Sequence, residues 1–212
     1  RPAAKDRAAK PGLPVTHDVG MRISWNNRPE ISVRPEVSDK KMGLPGAEIN
    51  WETRRGNMKM VCLNCHGQQW VDNFYTQYDS LLEQYHTKFA SPGKELYELA
   101  KPLMKPVQFS NDLDWVWYEI WHHEGRRARH GASMMGPDYT WWHGMYEVAK
   151  HFYFELLPEA RKFGDPDVNA WIDRLLAEDP MHSWLSKETE ALKGDIKSGR
   201  MQAIYEKLFA EK

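Results

Sequence analysis

Both cysteines of the chain lie in one short segment, Cys62-Leu63-Asn64-Cys65-His66. Cys-x-x-Cys-His is the attachment signature of a c-type haem. In such a site the two thiols form thioether bonds with the porphyrin vinyl groups, and the adjacent imidazole binds the iron. A thioredoxin-like dithiol does not need the histidine, and a zinc site would require a second pair of ligands at short spacing. The motif therefore predicts covalent haem c on Cys62 and Cys65, with His66 as an axial ligand of the iron.

The iron would need a second axial ligand, and the run Trp121–His130 is the densest source of imidazoles. His123 and His130 are seven residues apart, so they share one helix face. Their separation of about 10.5 Å along a helix is too long for one metal ion but suits two neighbouring haems. Both are therefore candidate iron ligands.

Charged residues of the same run fit this interpretation. Glu124 is placed to orient an imidazole or to pair with Arg127 or Arg129. These two arginines and Arg126 could also pair with haem propionates. The alternative is a solvated basic helix face whose histidines are incidental.

Two further histidines are candidate ligands. His143 lies in Asp138–Gly144, between a tryptophan and a glycine, and the glycine permits close approach of a flat macrocycle. The alternative is an aromatic helix start with no ligand. His17 is followed by Asp18 in an irregular segment, where a histidine is usually exposed. No ligand role is predicted for His86, His151 or His182.

Proline and glycine divide the chain into two regions. Residues 1–60 carry six prolines and five glycines, which excludes long helices and predicts an extended arm that packs on other parts of a haem assembly. In residues 61–212 apolar side chains recur every three or four positions, which predicts helices. The predicted helices span 69–89, 95–104, about 112–133, 140–157, a segment after Asp165-Pro166, and about 193–209. Ser91-Pro92-Gly93 and Gly136-Pro137 are predicted to interrupt them.

Composition narrows the class of function. Basic and acidic residues balance, 29 against 30, so no charged field is expected to recruit nucleic acid. The chain contains 10 Trp, 9 Tyr and 9 His, groups that pack on porphyrins or ligate iron, although each could instead be an ordinary core residue. No Gly-rich phosphate loop, nucleophile elbow or His-Glu-x-x-His motif occurs, so redox chemistry is the predicted class.

The predicted haem also indicates a compartment. Haem is attached to apocytochrome thiols outside the cytoplasm, so a periplasm or an equivalent lumen is expected. The sequence as given shows no apolar export segment, which predicts a processed product or the later part of a longer polypeptide. No apolar run approaches the roughly 20 residues that span a bilayer, so no membrane span is predicted.

Several long strings together resemble the C-terminal part of hydroxylamine oxidoreductase, an octahaem cytochrome c family that includes hydrazine dehydrogenase. These strings are Thr16–Gly20, Cys62–Gly67, Trp121–Ala132, Pro137–Gly144 and Tyr146–Tyr153. The resemblance implies a mainly α multihaem cytochrome c in which 61–212 bind haem and form a homotrimer. It implies seven ordinary haems and a catalytic haem, P460, in each complete subunit.

In oxidising members of that family a tyrosine is covalently bonded to the P460 haem of the neighbouring subunit. The matching position is Tyr139, which the resemblance makes the catalytic residue. The resemblance also implies that His143 and His130 are distal ligands. It makes His123 and His17 plausible ligands of haems attached elsewhere. The implied activity is oxidation of hydroxylamine or hydrazine, with electrons passed to a redox partner cytochrome. In an anammox bacterium the compartment would be the anammoxosome.

One departure from the family is large. The chain has a single attachment motif where a complete subunit would have eight. It is therefore expected to be the last segment of a subunit, active only with the remaining multihaem part. A nitrite-reducing member of the same family and a free-standing monohaem electron carrier remain the alternatives.

Overall fold

The structure, a computed structural model, describes residues 51–210, and all of their regular structure is helical. The predicted mainly α class is confirmed for this range. Ten α-helices occur in it: α1 (Trp51–Cys62), α2 (Gln68–Tyr85), α3 (Ser91–Ala100), α4 (Asp112–Tyr118), α5 (Glu124–Ser133), α6 (Tyr146–His151), α7 (Leu157–Arg161), α8 (Pro166–Glu178), α9 (Thr189–Lys197) and α10 (Arg200–Ala210). Four π-helical segments lie between them: His86–Ala90, Glu119–His123, Asp138–Met145 and Phe152–Leu156. Short 3₁₀ turns occur at Lys101–Leu103 and Ser183–Ser186. None of these helices is long and apolar enough to cross a membrane.

The predicted boundary of the arm at residue 60 was wrong, because α1 already begins at Trp51. Glycine is a poor helix former, yet Gly56 lies inside this helix on an exposed position. Ion pairs between α1 and α2, described below, outweigh that local preference. The rest of the predicted arm, with His17, lies outside the described residues.

The predicted interruption at Ser91-Pro92-Gly93 was also wrong. The π-helical segment His86–Ala90 is followed at once by α3. Pro92 lies in the first turn of α3, directly after the π-helical segment, so the helix continues through the proline instead of ending there. Gly93 is buried, and a Cβ atom there would lie 2.7 Å from Trp117 Cζ3, so the glycine permits close packing.

Other local signals were confirmed. The Asp165 carboxylate accepts hydrogen bonds of 3.0 Å from the backbone N–H groups of Asp167 and Val168, and so caps α8. The break at Gly136-Pro137 is present, and the Gly136 N–H donates to the Gly131 carbonyl at 2.8 Å. Asp112 and Asp114 lie in the first turn of α4, where acidic groups are favoured.

The chain divides into two compact units. The first combines the described residues up to His86 with Glu119–Ala149, and the second combines Thr87–Tyr118 with the residues from Lys150 onward. Every predicted site residue within the described range belongs to the first unit.

The core of the first unit is built around Tyr85. Its hydroxyl is buried and donates a hydrogen bond of 2.9 Å to the Ile120 carbonyl. A Cβ atom at Gly125 would lie 2.3 Å from both of these groups, so only glycine fits there. The helical segments 124–133 and 138–145 also approach closely. A Cβ atom at Gly144 would lie 2.7 Å from Ala128 Cα, and this contact fixes the segment that carries Tyr139.

The second unit has an aromatic core. Phe89, Phe152 and His182 are buried together, and the imidazole of His182 stacks on Phe152 with centroids 5.4 Å apart. The Tyr153 hydroxyl lies 3.0 Å from His182 Nδ1. Burial lowers the pKa of His182 to about 4. His182 is therefore a neutral core residue, which sequence reasoning did not foresee.

Candidate functional site

Cys62, Cys65 and His66 lie together at the turn that joins α1 to α2. The backbone N–H groups of Cys65 and His66 both donate to the Cys62 carbonyl, at 3.1 and 2.9 Å. The Asn64 side-chain amide donates to the carbonyls of Met60 and Val61 at 3.2 and 3.0 Å. These bonds satisfy carbonyls at the end of α1 and hold the two thiols and the imidazole on one turn.

Two ion pairs hold α1 against α2 on either side of Tyr75. The Arg55 guanidinium donates to both carboxylate oxygens of Asp79, at 2.6 and 3.0 Å. Closer to the turn, Lys59 Nζ lies 2.9 Å from Asp72 Oδ1. Arg55 Cζ and Lys59 Nζ lie 4.6 and 5.3 Å from the centroid of the Tyr75 ring. Because the residues nearer the turn pair with each other, the two helices are antiparallel, with the cysteines at their junction.

The three residues of the turn differ in exposure. Cys62 is half-buried and packs against two small apolar clusters, one of Met58 and Val61 and one of Val71, Phe74 and Tyr75. Cys65 is exposed, and both thiols are free of disulfides. The His66 ring stacks on Trp70, with centroids 4.1 Å apart and planes 13° from parallel. Met60, Leu63 and Trp70 add exposed apolar surface next to these residues in the sequence.

His123 lies between two carboxylates and a guanidinium. Its Nδ1 is 2.8 Å from Glu119 Oε2 and 2.8 Å from Glu124 Oε1. Its Nε2 is 2.9 Å from Arg127 Nη2. Glu124 therefore orients an imidazole, as predicted. Glu119 was not predicted, although its position four residues before His123 on a helical segment was a usable signal.

The ion pair between Arg127 and Glu147 links His123 to His143. Arg127 Nη1 lies 3.1 Å from Glu147 Oε2, and His143 Nδ1 lies 3.4 Å from Glu147 Oε1. The exposed ring of Tyr139 is 5.8 Å from the His143 ring, measured between centroids. The structure thus connects three of the predicted site residues. Arg127 and Glu147 lie between His123 and His143, and the ring of Tyr139 lies near that of His143.

His130 is half-buried, and burial together with the nearby cations Arg129 and Arg126 lowers its pKa. The same causes, burial first, lower the pKa of His122. A lowered pKa keeps an imidazole neutral, which is the form that binds metals.

Arg129 does not lie where a haem propionate could be expected to reach it. Its guanidinium is buried, donates to the carbonyls of Gly125 and Trp121 at 2.9 and 3.0 Å, and lies 4.9 Å from the Tyr85 ring centroid. Its role in this fold is packing within the first unit. Arg126, by contrast, is exposed.

Aromatic side chains form an exposed face on the helical segments 138–151. Tyr139 and Tyr146 are each 58% exposed, and Trp142 is 67% exposed. The rings of Trp142 and Tyr146 lie 5.9 Å apart between centroids. The phenol of Tyr139 is thus available on the surface of the first unit. A cavity of about 210 Å³ lies near the same segment, with Tyr78, Thr140 and Trp141 among its lining residues.

Comparisons of the chain with family models, with curated proteins and with solved structures found no match.

Proposed function

We propose that the chain carries a covalently attached c-type haem at the turn between α1 and α2. The supporting observation is the placement of Cys62, Cys65 and His66 on one hydrogen-bonded turn at the junction of an ion-paired helical hairpin.

The residues at this turn fit a haem by their chemistry. Neither cysteine is in a disulfide, which leaves both thiols able to form thioether bonds, and Cys65 is open to solvent. His66 would be the axial ligand. Met60, Leu63 and Trp70 offer apolar and aromatic surface on which a porphyrin could pack. When bound, a haem supplies one-electron chemistry at its iron, and the protein supplies the ligands and surroundings that tune it.

We also propose that the chain is the C-terminal part of a multihaem oxidoreductase of the hydroxylamine oxidoreductase type. It would act on hydroxylamine or hydrazine, in a periplasm or anammoxosome, and pass electrons to a partner cytochrome. Three observations support this second proposal: the exposed phenol of Tyr139, the network that links His123 to His143, and the lowered pKa of His130. Tyr139 would reach the P460 haem of a neighbouring subunit in a homotrimer. His143 and His130 would be distal iron ligands, and His123 and His17 would ligate haems held by the rest of the assembly.

Intact-mass measurement under denaturing conditions tests the haem proposal. The protein is produced in a host that attaches haem c, and the expected mass is that of the polypeptide plus one haem. Changing Cys62 and Cys65 together to serine should remove the added mass and the red colour. Material that is colourless, or whose pigment is extracted by acid acetone, would refute covalent attachment.

A free-standing monohaem electron carrier is the second candidate, and the single attachment motif of the chain favours it. The ratio of iron to polypeptide in material from the native source separates the two. One iron per polypeptide in a compact monomer supports the carrier. Copurification with polypeptide that holds further haems supports the multihaem oxidoreductase.

A further inference from the structure

His123 has opposite partners on its two ring nitrogens, and this fixes which nitrogen carries the proton. Nδ1 faces two carboxylates at 2.8 Å, which can only accept a hydrogen bond when ionised. Nε2 faces Arg127, which can only donate. The neutral imidazole that satisfies both sides has its proton on Nδ1 and its lone pair on Nε2.

From this geometry we propose that Arg127 masks the metal-binding nitrogen of His123, and that Glu119 and Glu124 hold this imidazole ready to bind iron through Nε2. Metal-binding histidines commonly donate their other N–H to a carboxylate, which fixes the tautomer and makes the ligand more basic. Glu124 is well suited to that role because its side chain is only 5% exposed. Glu119 and Glu124 are therefore positioning residues for His123. Arg127 blocks Nε2 and must move away before that nitrogen can bind iron. This inference rests on the proposed function, which supplies the iron.

The Glu147 carboxylate holds Arg127 in place against His123. It pairs with Arg127 at 3.1 Å and also lies 3.4 Å from His143. Iron can bind His123 only if Arg127 leaves Nε2. The exchange needs no proton transfer, because the proton already lies on Nδ1. The displaced guanidinium would be free to pair with a carboxylate such as a haem propionate, whose geometry it matches.

A different site could be drawn from the same residues. Glu119, His123 Nδ1 and Glu124 offer three ligand atoms within 4.8 Å of one another, as a divalent cation would require. A cation on Nδ1 would force the proton onto Nε2, where it would face the N–H of Arg127. Two donors would then meet at 2.9 Å, so the arrangement favours Nε2 as the ligand atom.

The test uses the full chain without haem, so that its result does not depend on haem attachment. Nitrogen-15 spectra that correlate ring nitrogens with ring protons should show His123 as the Nδ1–H tautomer. Diethyl pyrocarbonate, which modifies the unprotonated ring nitrogen, should react slowly at His123, as followed by peptide mass spectrometry. In Arg127→Gln the rate at His123 should rise by about fivefold or more, the factor expected for one lost hydrogen bond.

Arg126→Gln is the matched control, because Arg126 is a neighbouring exposed cation, whereas the arginine in contact with Nε2 is Arg127. It should leave the rate at His123 within about twofold of the wild type, the size of a weak surface charge effect. Glu147→Gln weakens the contact that holds Arg127 in place but leaves Arg127 itself unchanged. The modification rate at His123 in this variant should be intermediate. An Nε2–H tautomer, or equal rates in the wild type and Arg127→Gln, would overturn the proposal. So would zinc ions that shift the Nδ1 resonance of His123 at neutral pH. Loss of covalent haem in the mass measurement, with masking intact, would instead refute only the proposed function.

Discussion

The Arg55 guanidinium and the Asp79 carboxylate make two hydrogen bonds, of 2.6 and 3.0 Å, between α1 and α2. The side chain of Arg55 is 10% exposed and that of Asp79 is 28% exposed. This pair, rather than local helix preference, accounts for a helix that begins inside a segment rich in helix breakers. It also keeps the Cys62–His66 turn at the end of a defined hairpin.

Asp79→Asn should therefore destabilise the fold, because a neutral amide replaces the carboxylate that pairs with the largely buried guanidinium. We expect a loss of about 2 kcal/mol in the free energy of unfolding, the usual range for a hydrogen bond to a charged group. Urea denaturation followed by circular dichroism measures this change. Asp72→Asn removes the more exposed pair with Lys59 and should cost less than about 1 kcal/mol. Equal losses in the two variants would contradict the role assigned to Arg55.

Local signals in the sequence were enough to place most helices and the attachment turn. The Asp165 cap, the break at Gly136-Pro137 and the three-to-four spacing of apolar residues each depend on neighbours within one or two turns. The orientation of His123 by Glu124 was predictable for the same reason. Such contacts are set by helical geometry and need no knowledge of the tertiary fold.

Contacts between distant segments were not predictable. Arg127 pairs with Glu147 on another helix, and His182 is buried by Phe152, thirty residues earlier in the chain. The π-helical turns at Glu119–His123 and Asp138–Met145 were not predicted either, and such turns are rare within helices. The sequence therefore shows which residues carry chemistry, and the structure shows which of them share partners.

Gly144→Ala should disturb the packing that positions Tyr139 and His143. The added Cβ atom would lie 2.6 Å from the Tyr139 carbonyl and 2.7 Å from Ala128 Cα, and backbone atoms cannot move aside cheaply. We expect a loss of about 1–3 kcal/mol in unfolding free energy, as in other overpacked cores.

Gly194→Ala is the control, because it lies in α9 with no atom within 4 Å of the new Cβ atom. It should stabilise the chain by up to about 1 kcal/mol through helix propensity. A stable Gly144→Ala would contradict the close approach of the two segments.

His182 should make the fold sensitive to acid. Burial is the main cause that lowers its pKa from 6.5 to about 4, with Lys88 adding to the effect and Asp179 opposing it. Between these two values the unfolded chain binds a proton that the folded chain does not, so stability is full above pH 6.5 and falls as pH approaches 4. The loss attributable to this residue is about 3 kcal/mol.

His182→Phe tests this assignment, since phenylalanine keeps an aromatic ring next to Phe152 and cannot titrate. Urea midpoints between pH 4 and 6.5 should depend less on pH in this variant than in the wild type. Tyr153→Phe is the control, because it removes the hydroxyl at Nδ1 and leaves the buried imidazole in place. It should keep most of the wild-type pH dependence. An unchanged slope in His182→Phe would show that other groups carry the acid sensitivity.

Tyr139→Phe tests the proposed cross-link to the P460 haem. The phenol oxygen is the atom that phenylalanine lacks, while ring size and helix propensity are nearly the same. In the assembled complex this variant should lose the P460 absorption feature and the oxidation of hydroxylamine or hydrazine.

Tyr146→Phe is the matched control, because Tyr146 is equally exposed, at 58%, on the same aromatic face. It should keep both properties. A P460 spectrum that survives in Tyr139→Phe, or disappears equally in the two variants, would mean that this phenol does not form the bond. Because both variants keep the aromatic face, the comparison separates the cross-link from simple contact between subunits.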